Sequence, residues 1–136
     1  MNADGTGARE LHSSQQISFA PVSCGHGRFV VFSTAASRKL DSISLWRMNP
    51  DGSNTKQLAE TKDAEDAICA ADSKWVFYAD LSAGPALMRV SIDGGTPQKF
   101  SNLVIGDFPS ISPDGQNNRG YYAGRKKWKP ACAYRC

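Results

Sequence analysis

Residues 48–58 read MNPDGSNTKQL, and the fold follows from what this stretch shares with two others. Residues 1–11 read MNADGTGAREL, and residues 90–100 read VSIDGGTPQKF. Asp and Gly stand fourth and fifth in each copy, and an apolar residue stands eleventh. The copies start 47 residues apart (1 to 48) and then 42 apart (48 to 90). A second block recurs ahead of this one. Residues 21–32, PVSCGHGRFVVF, align with residues 67–78, AICAADSKWVFY, and with residues 109–116, PSISPDGQ. Their starts lie 46 and 42 residues apart (21 to 67, 67 to 109). Two separate blocks recurring in the same order argue against chance similarity.

Self-similarity at about 40–45 residues is the mark of a propeller blade. Each unit reads as four short strands. In the middle unit these are Asp66–Cys69, Lys74–Asp80, Ala86–Ser91 and Gln98–Phe100. The turns between them have a mechanism. Ser112-Pro113-Asp114-Gly115 puts Pro where φ must be near −65°, then Asp, then Gly where φ must be positive. Pro50-Asp51-Gly52 and Asp93-Gly94-Gly95 supply the same chemistry at the second hairpin. The stretch Trp75 to Ala79 is apolar on both faces, which suits a strand covered on both sides. No helical pattern of useful length occurs. Residues 60–71 are rich in Ala and acids but lack an apolar stripe, and read as a loop plus the next inner strand. The fold class expected is all-β, a partial propeller of four-stranded antiparallel blades.

Composition narrows the function classes. The chain has 136 residues, 40% hydrophobic and 21% charged, which is a globular rather than a disordered balance. Its apolar runs stop at four or five residues, such as Phe29 to Phe32, far short of the roughly 20 of a membrane span. Direct membrane insertion is not expected. The polar, Gly-rich start, Met1 to Arg9, has no apolar core and predicts no signal peptide. The net charge of +3 is uneven. Arg119, Arg125, Lys126, Lys127, Lys129 and Arg135 crowd residues 116–136 without one acid. No RNA-binding signature or zinc-finger spacing accompanies them, so a solvated basic surface is expected and nucleic acid is not a predicted partner. Cysteines stand at 24, 69, 132 and 136, in no zinc-binding spacing. Cys24 and Cys69 fall in strand-like stretches and are expected to pack as small hydrophobes.

The residues then carry a family resemblance. Ser112-Pro113-Asp114-Gly115 is similar to the "SPDG" repeat (PD40) of TolB-like, WD40-like β-propellers. Leu45-Trp46-Arg47-Met48-Asn49-Pro50-Asp51-Gly52-Ser53-Asn54, followed by Gln57-Leu58, resembles the third-to-fourth-strand block of the same family. The wording is most similar to arrays fused to bacterial serine/threonine kinases or winged-helix regulators. The resemblance covers residues 1–116 as a partial propeller. Within it, 1–11 is the end of a blade, 12–58 and 59–101 are blades, and 102–116 starts another. Residues 117–136 read as an aberrant basic tail, a decayed or frame-shifted continuation of the third blade. The chain departs from the motif elsewhere too. Gly25-His26-Gly27 and Ala71-Asp72-Ser73 stand where Pro-Asp-Gly is usual. The resemblance implies a bacterial, periplasmic or extracytoplasmic setting. A fragment is expected, with a protein partner or other blades closing the ring.

Candidate chemistry is sparse. No G-x-S-x-G elbow, Walker loop or dinucleotide fingerprint occurs. Both histidines, His12 and His26, sit in turn-like contexts, and His26 takes the place of a turn Asp. No catalytic residue, cofactor or metal is expected. Asn49 to Asn54 superficially resembles a calcium loop, but its Gly and its downstream Glu are out of place, and a hairpin turn explains it. The surface feature of most interest is acidic. Glu60, Asp63, Glu65 and Asp66 lie between the fourth strand of one blade and the first of the next, with Asp107 matching in the following unit. In propellers of this type that connection reaches the rim of the central channel. Asp63, Glu65, Asp66 and Asp107 are the candidate binding residues, for a cation or a basic peptide. A plain polar loop is the competing reading, since Lys62 interrupts the run. The function expected is non-catalytic interaction or sensing, binding a protein or small ligand. The alternatives are an accessory substrate-gating propeller of a prolyl-oligopeptidase-type peptidase, or a non-functional remnant.

Overall fold

A computed structural model of the chain describes residues 4–38, 42–101, 110–111, 118–120 and 131–132. Among them every regular element is a strand. β1 (Ile17–Cys24), β2 (Phe29–Ala35), β3 (Ile43–Met48) and β4 (Lys56–Thr61) form one sheet, paired antiparallel in chain order. β5 (Ala64–Cys69), β6 (Trp75–Asp80), β7 (Ala86–Ser91) and β8 (Gln98–Ser101) form a second in the same way. β9 (Ser110–Ile111), β10 (Asn118–Gly120) and β11 (Ala131–Cys132) form a third, short sheet. Residues 60–71 are the end of β4, a two-residue connection and β5, as the missing apolar stripe predicts.

The turns close as their residues dictate. Gly52 at φ 89° donates its N–H to the Asn49 carbonyl at 2.9 Å, and Gly94 at φ 84° donates to Ser91 at 2.8 Å. A Cβ on Gly52 would also collide with the Leu11 carbonyl, so glycine is required there twice over. In the β1–β2 turn His26 adopts φ 56°, and Ser73 adopts φ 59° in the matching turn. His26 is thus a turn residue. The Asp of the repeat caps its own turn in two copies. Asp51 Oδ1 accepts from the Ser53 N–H at 2.9 Å and hydroxyl at 2.7 Å, and Asp4 Oδ1 accepts from Thr6 at 2.9 and 2.8 Å. The Ser53 hydroxyl and then its N–H hold the Asp51 carboxyl below its ordinary pKa, and the Thr6 N–H and hydroxyl do so at Asp4. In the third copy Gly95 offers no hydroxyl, and Asp93 turns instead toward Arg47 of the first sheet, at 3.6 Å.

The core lies between the two four-stranded sheets. Val31, Ile43 and Leu45 from the first meet Val76, Tyr78 and Val90 from the second, all fully buried. Each such side chain contributes roughly 1.5–3 kcal/mol of hydrophobic stabilisation. β2 and β6 carry buried side chains on both faces. Phe32 on the far face of β2 meets the His12 ring at 5.0 Å. Phe77 on the far face of β6 joins Ala79 and Leu87 in a second cluster and meets Phe100 edge-on at 4.9 Å. The first strands β1 and β5 run against one another, so the sheets fan outward from them.

Candidate functional site

The inner strand β5 carries the candidate residues at one end and Cys69 at the other. Asp63 sits in the connection before it. Its N–H donates to Thr61 Oγ1 at 3.1 Å, and its carbonyl accepts the Leu81 N–H at 3.0 Å, which pins the entry of β5 to the end of β6. Glu65 pairs with Ala79. Paired residues share a sheet face, so Glu65 stands on the face turned away from the first sheet. Asp66 lies in a β-bulge between Glu65 and Ile68 with φ 50°. A bulge re-aims one side chain and sharpens the local twist. β1 repeats the device at Ala20, φ 49°, between Phe19 and Val22. The bulge therefore belongs to the repeat and the carboxylate does not. Asp63, Glu65 and Asp66 are all half-buried, and Glu60 and Lys62 are exposed. The structure brings the first three to one strand entry. Asp107 lies outside the described residues. Among the described residues no three His, Cys, Asp or Glu side chains are grouped to hold a metal ion.

At the far end of β5 the structure corrects one expectation. Cys69 and Cys24 do not pack as free small hydrophobes. They form a disulfide, with Cα atoms 5.6 Å apart, that joins the ends of β5 and β1. Two inner strands of neighbouring sheets are thereby covalently stapled. The sequence signal was their separation of 45 residues, close to the repeat length. That spacing puts two cysteines at nearly the same height on adjacent first strands.

Two further polar groups, unremarked in the sequence, lie in the buried interior. Arg47 is 8% exposed, and its Nε and Nη1 have no hydrogen-bond partner among the described residues. Its guanidinium stacks on Phe29, 4.7 Å from the ring centroid, and Nη2 faces Asp93. Arg89, at the same place in the next unit, stacks on Trp75 at 4.4 Å and donates to Gln98 Oε1 through Nε and Nη2. Arginine on an aromatic face is thus a recurring element of the repeat. The Tyr78 hydroxyl is buried with no hydrogen-bond partner among the described residues. Burial, and then the Asp80 charge, push its pKa up to about 12. The folded protein therefore holds this proton to higher pH than the unfolded chain does. Below pH 10 the difference has no effect, and stability falls as pH rises from 10 toward 12. Tyr78→Phe removes a desolvated hydroxyl that bonds nothing, and is expected to stabilise the protein by about 1 kcal/mol. Thermal melts at pH 8 and pH 11 check both statements, because the variant should lose less stability between the two (roughly pH 10 being the tyrosine midpoint).

Two four-stranded antiparallel sheets, packed face to face with their first strands together, define the class as a β-propeller, here a partial one. Comparison with solved structures gives the particulars. An oligogalacturonate lyase, solved in complex with manganese, matches with a TM-score of 0.70 at 17% identity, over 97% of this chain and 39% of the lyase. A gluconolactonase from Xanthomonas campestris matches at 0.64 and 14% identity, over 89% of this chain and 47% of that one. TolB from Acinetobacter baumannii matches at 0.51 and 13% identity, over 96% of this chain and 44% of TolB. All three are propellers, and at these identities the likeness shows the fold alone. The chain spans less than half the length of each. No protein-family description and no curated protein matches the sequence.

Proposed function

We propose that this chain is a non-catalytic interaction or sensing module, which binds a protein or small ligand where Asp63, Glu65 and Asp66 enter the inner strand. The observation that carries the reading is the bulge at Asp66. It interrupts the alternation of β5 at Asp66, where half-buried Asp63, Glu65 and Asp66 follow closely along the strand entry, while the same bulge in β1 carries only Ala20. One blade of the repeat is thus specialised for positive charge, on a frame that is otherwise shared. A cationic peptide segment fits this better than a metal ion, since the described carboxylates form no ligand group. The disulfide suits an oxidising compartment, in keeping with an extracytoplasmic module.

Calorimetry tests the reading. Lysine- and arginine-rich peptides titrated into the protein should release heat that falls at least severalfold in Asp63→Ala/Asp66→Ala. The signal should also weaken steeply with salt, because exposed charges are screened beyond about 8 Å at 0.15 M. Equal heats from parent and variant, or calcium binding lost in the variant with no peptide binding, would sink it.

A further inference from the structure

At the opposite end of the strands from Asp63, the two complete sheets differ in what faces their arginine. Arg47 on β3 and Arg89 on β7 hold the same place in their units, each stacked on the aromatic residue that opens the second strand, Phe29 or Trp75. Each stands opposite the ninth residue of the repeated stretch, as Arg47↔Lys56 and Arg89↔Gln98. Gln98 supplies an acceptor, and its Oε1 takes hydrogen bonds from Arg89 Nε at 3.3 Å and Nη2 at 3.1 Å. Lys56 has donors only. Arg47 Nε and Nη1 are therefore left without hydrogen-bond partners among the described residues, on a side chain 9% exposed. Lys56 also sets like charge directly opposite like charge, which is unfavourable in a strand pair.

Asp93 answers these cations only loosely. Its Oδ1 stands 3.6 Å from Arg47 Nη2, against about 2.7–2.9 Å for a charge-assisted hydrogen bond, and its side chain is 78% exposed. Its backbone carbonyl accepts from Lys56 Nζ. Asp51, on the hairpin that joins β3 to β4, is committed to Ser53. Arg28 adds a third cation, with its guanidinium 5.5 Å from the Phe29 ring centroid. Three positive side chains thus share one exposed carboxylate. A buried guanidinium with unmade hydrogen bonds is costly. A carboxylate or phosphate group matches its planar fork and relieves that cost.

We propose that Arg47, with Lys56 and Arg28, forms an oxyanion site in the seam between the two four-stranded sheets, which takes the carboxylate or phosphate group of a small anionic ligand. Asp93 stands at its mouth as an internal substitute for that ligand. The incoming anion displaces the Asp93 carboxylate and forks onto Arg47 Nη1 and Nη2, and Lys56 and Arg28 supply the remaining positive charge. Phe29 fixes the plane of the guanidinium from one side. The site lies at the other end of the strands from the acids at Asp63, Glu65 and Asp66, and it takes charge of the opposite sign.

Inorganic phosphate and acetate are the probes, titrated into the protein with ionic strength held constant by sodium chloride. At least one of them should shift the Arg47 Nε–H resonance in proton–nitrogen NMR spectra and saturate. Saturation by phosphate alone assigns a phosphate group, and by acetate alone a carboxylate. Lys56→Gln gives Arg47 the acceptor that Gln98 gives Arg89, and should weaken binding roughly tenfold, the worth of one hydrogen bond to a charged group. Lys56 is exposed, so this variant should fold as the parent does. Asp93→Asn removes the competing charge and should tighten binding severalfold. Thermal melts give a second readout, because a bound anion should raise the parent's midpoint more than that of Lys56→Gln. Asp63→Ala/Asp66→Ala should bind the anion as the parent does. A shift that never saturates with either probe, a shift that chloride alone reproduces, equal binding by parent and Lys56→Gln, or weaker binding in Asp93→Asn would each overturn the proposal.

Discussion

Reducing the Cys24–Cys69 disulfide is expected to cost the protein about 4 kcal/mol. The bond closes a loop of 45 residues, and the chain-entropy relation for a loop of that length gives about 4 kcal/mol at 25 °C. Domain stabilities run from roughly 5 to 15 kcal/mol, so this one bond accounts for a large share of the total. Its location adds to its effect. It ties the two innermost strands, β1 and β5, and so holds the sheets at the fan's hinge, whereas a bond within one sheet would only reinforce existing hydrogen bonds. Urea titrations with and without reductant, and on Cys24→Ser/Cys69→Ser, measure the loss. The unfolding midpoint should drop well below that of the oxidised protein, and the slope should steepen as the unlinked chain unfolds to a larger surface. Equal midpoints would mean that packing alone fixes the two sheets.

Most of the fold was legible because the turns and the second strands report local physics. Asp51-Gly52 and Asp93-Gly94 need positive φ at glycine, and the structure has it at both. The four strands read in the middle unit fall within two residues of β5 to β8. What stayed hidden depends on how one sheet meets the next. The disulfide joins residues in separate sheets, and no local signal pairs them. The bulges at Ala20 and Asp66 break an alternation that the sequence can only suggest. Nothing in the local sequence marks Arg47 as buried; Phe29 stacks on one side of it and Asp93 reaches it from the second sheet. The candidate acids were legible as a run, but their separation into half-buried Asp63, Glu65 and Asp66 and exposed Glu60 required the strand entry to be seen.

The second large effect lies at Leu45. This side chain is fully buried in the cluster that both four-stranded sheets share, and its backbone is held between Ser33 on β2 and Ala59 on β4. Neighbouring strands therefore cannot move in to fill a void. Leu45→Ala should leave most of its cavity open and cost about 3 kcal/mol, near the middle of the range for such truncations. Leu45→Met keeps the volume and should cost under about 1.5 kcal/mol. The cavity would border both sheets, so the loss should appear in both at once. Trp46 reports on the first sheet and Trp75 on the second. With the third tryptophan, Trp128, replaced by Phe, urea transitions read through Trp46 alone or Trp75 alone should shift together and coincide. In a stack of repeats, stability resides in the interfaces as well as in the units. Coincident shifts would place Leu45 in that interfacial contribution, and a shift confined to the Trp46 signal would place it in the first sheet alone.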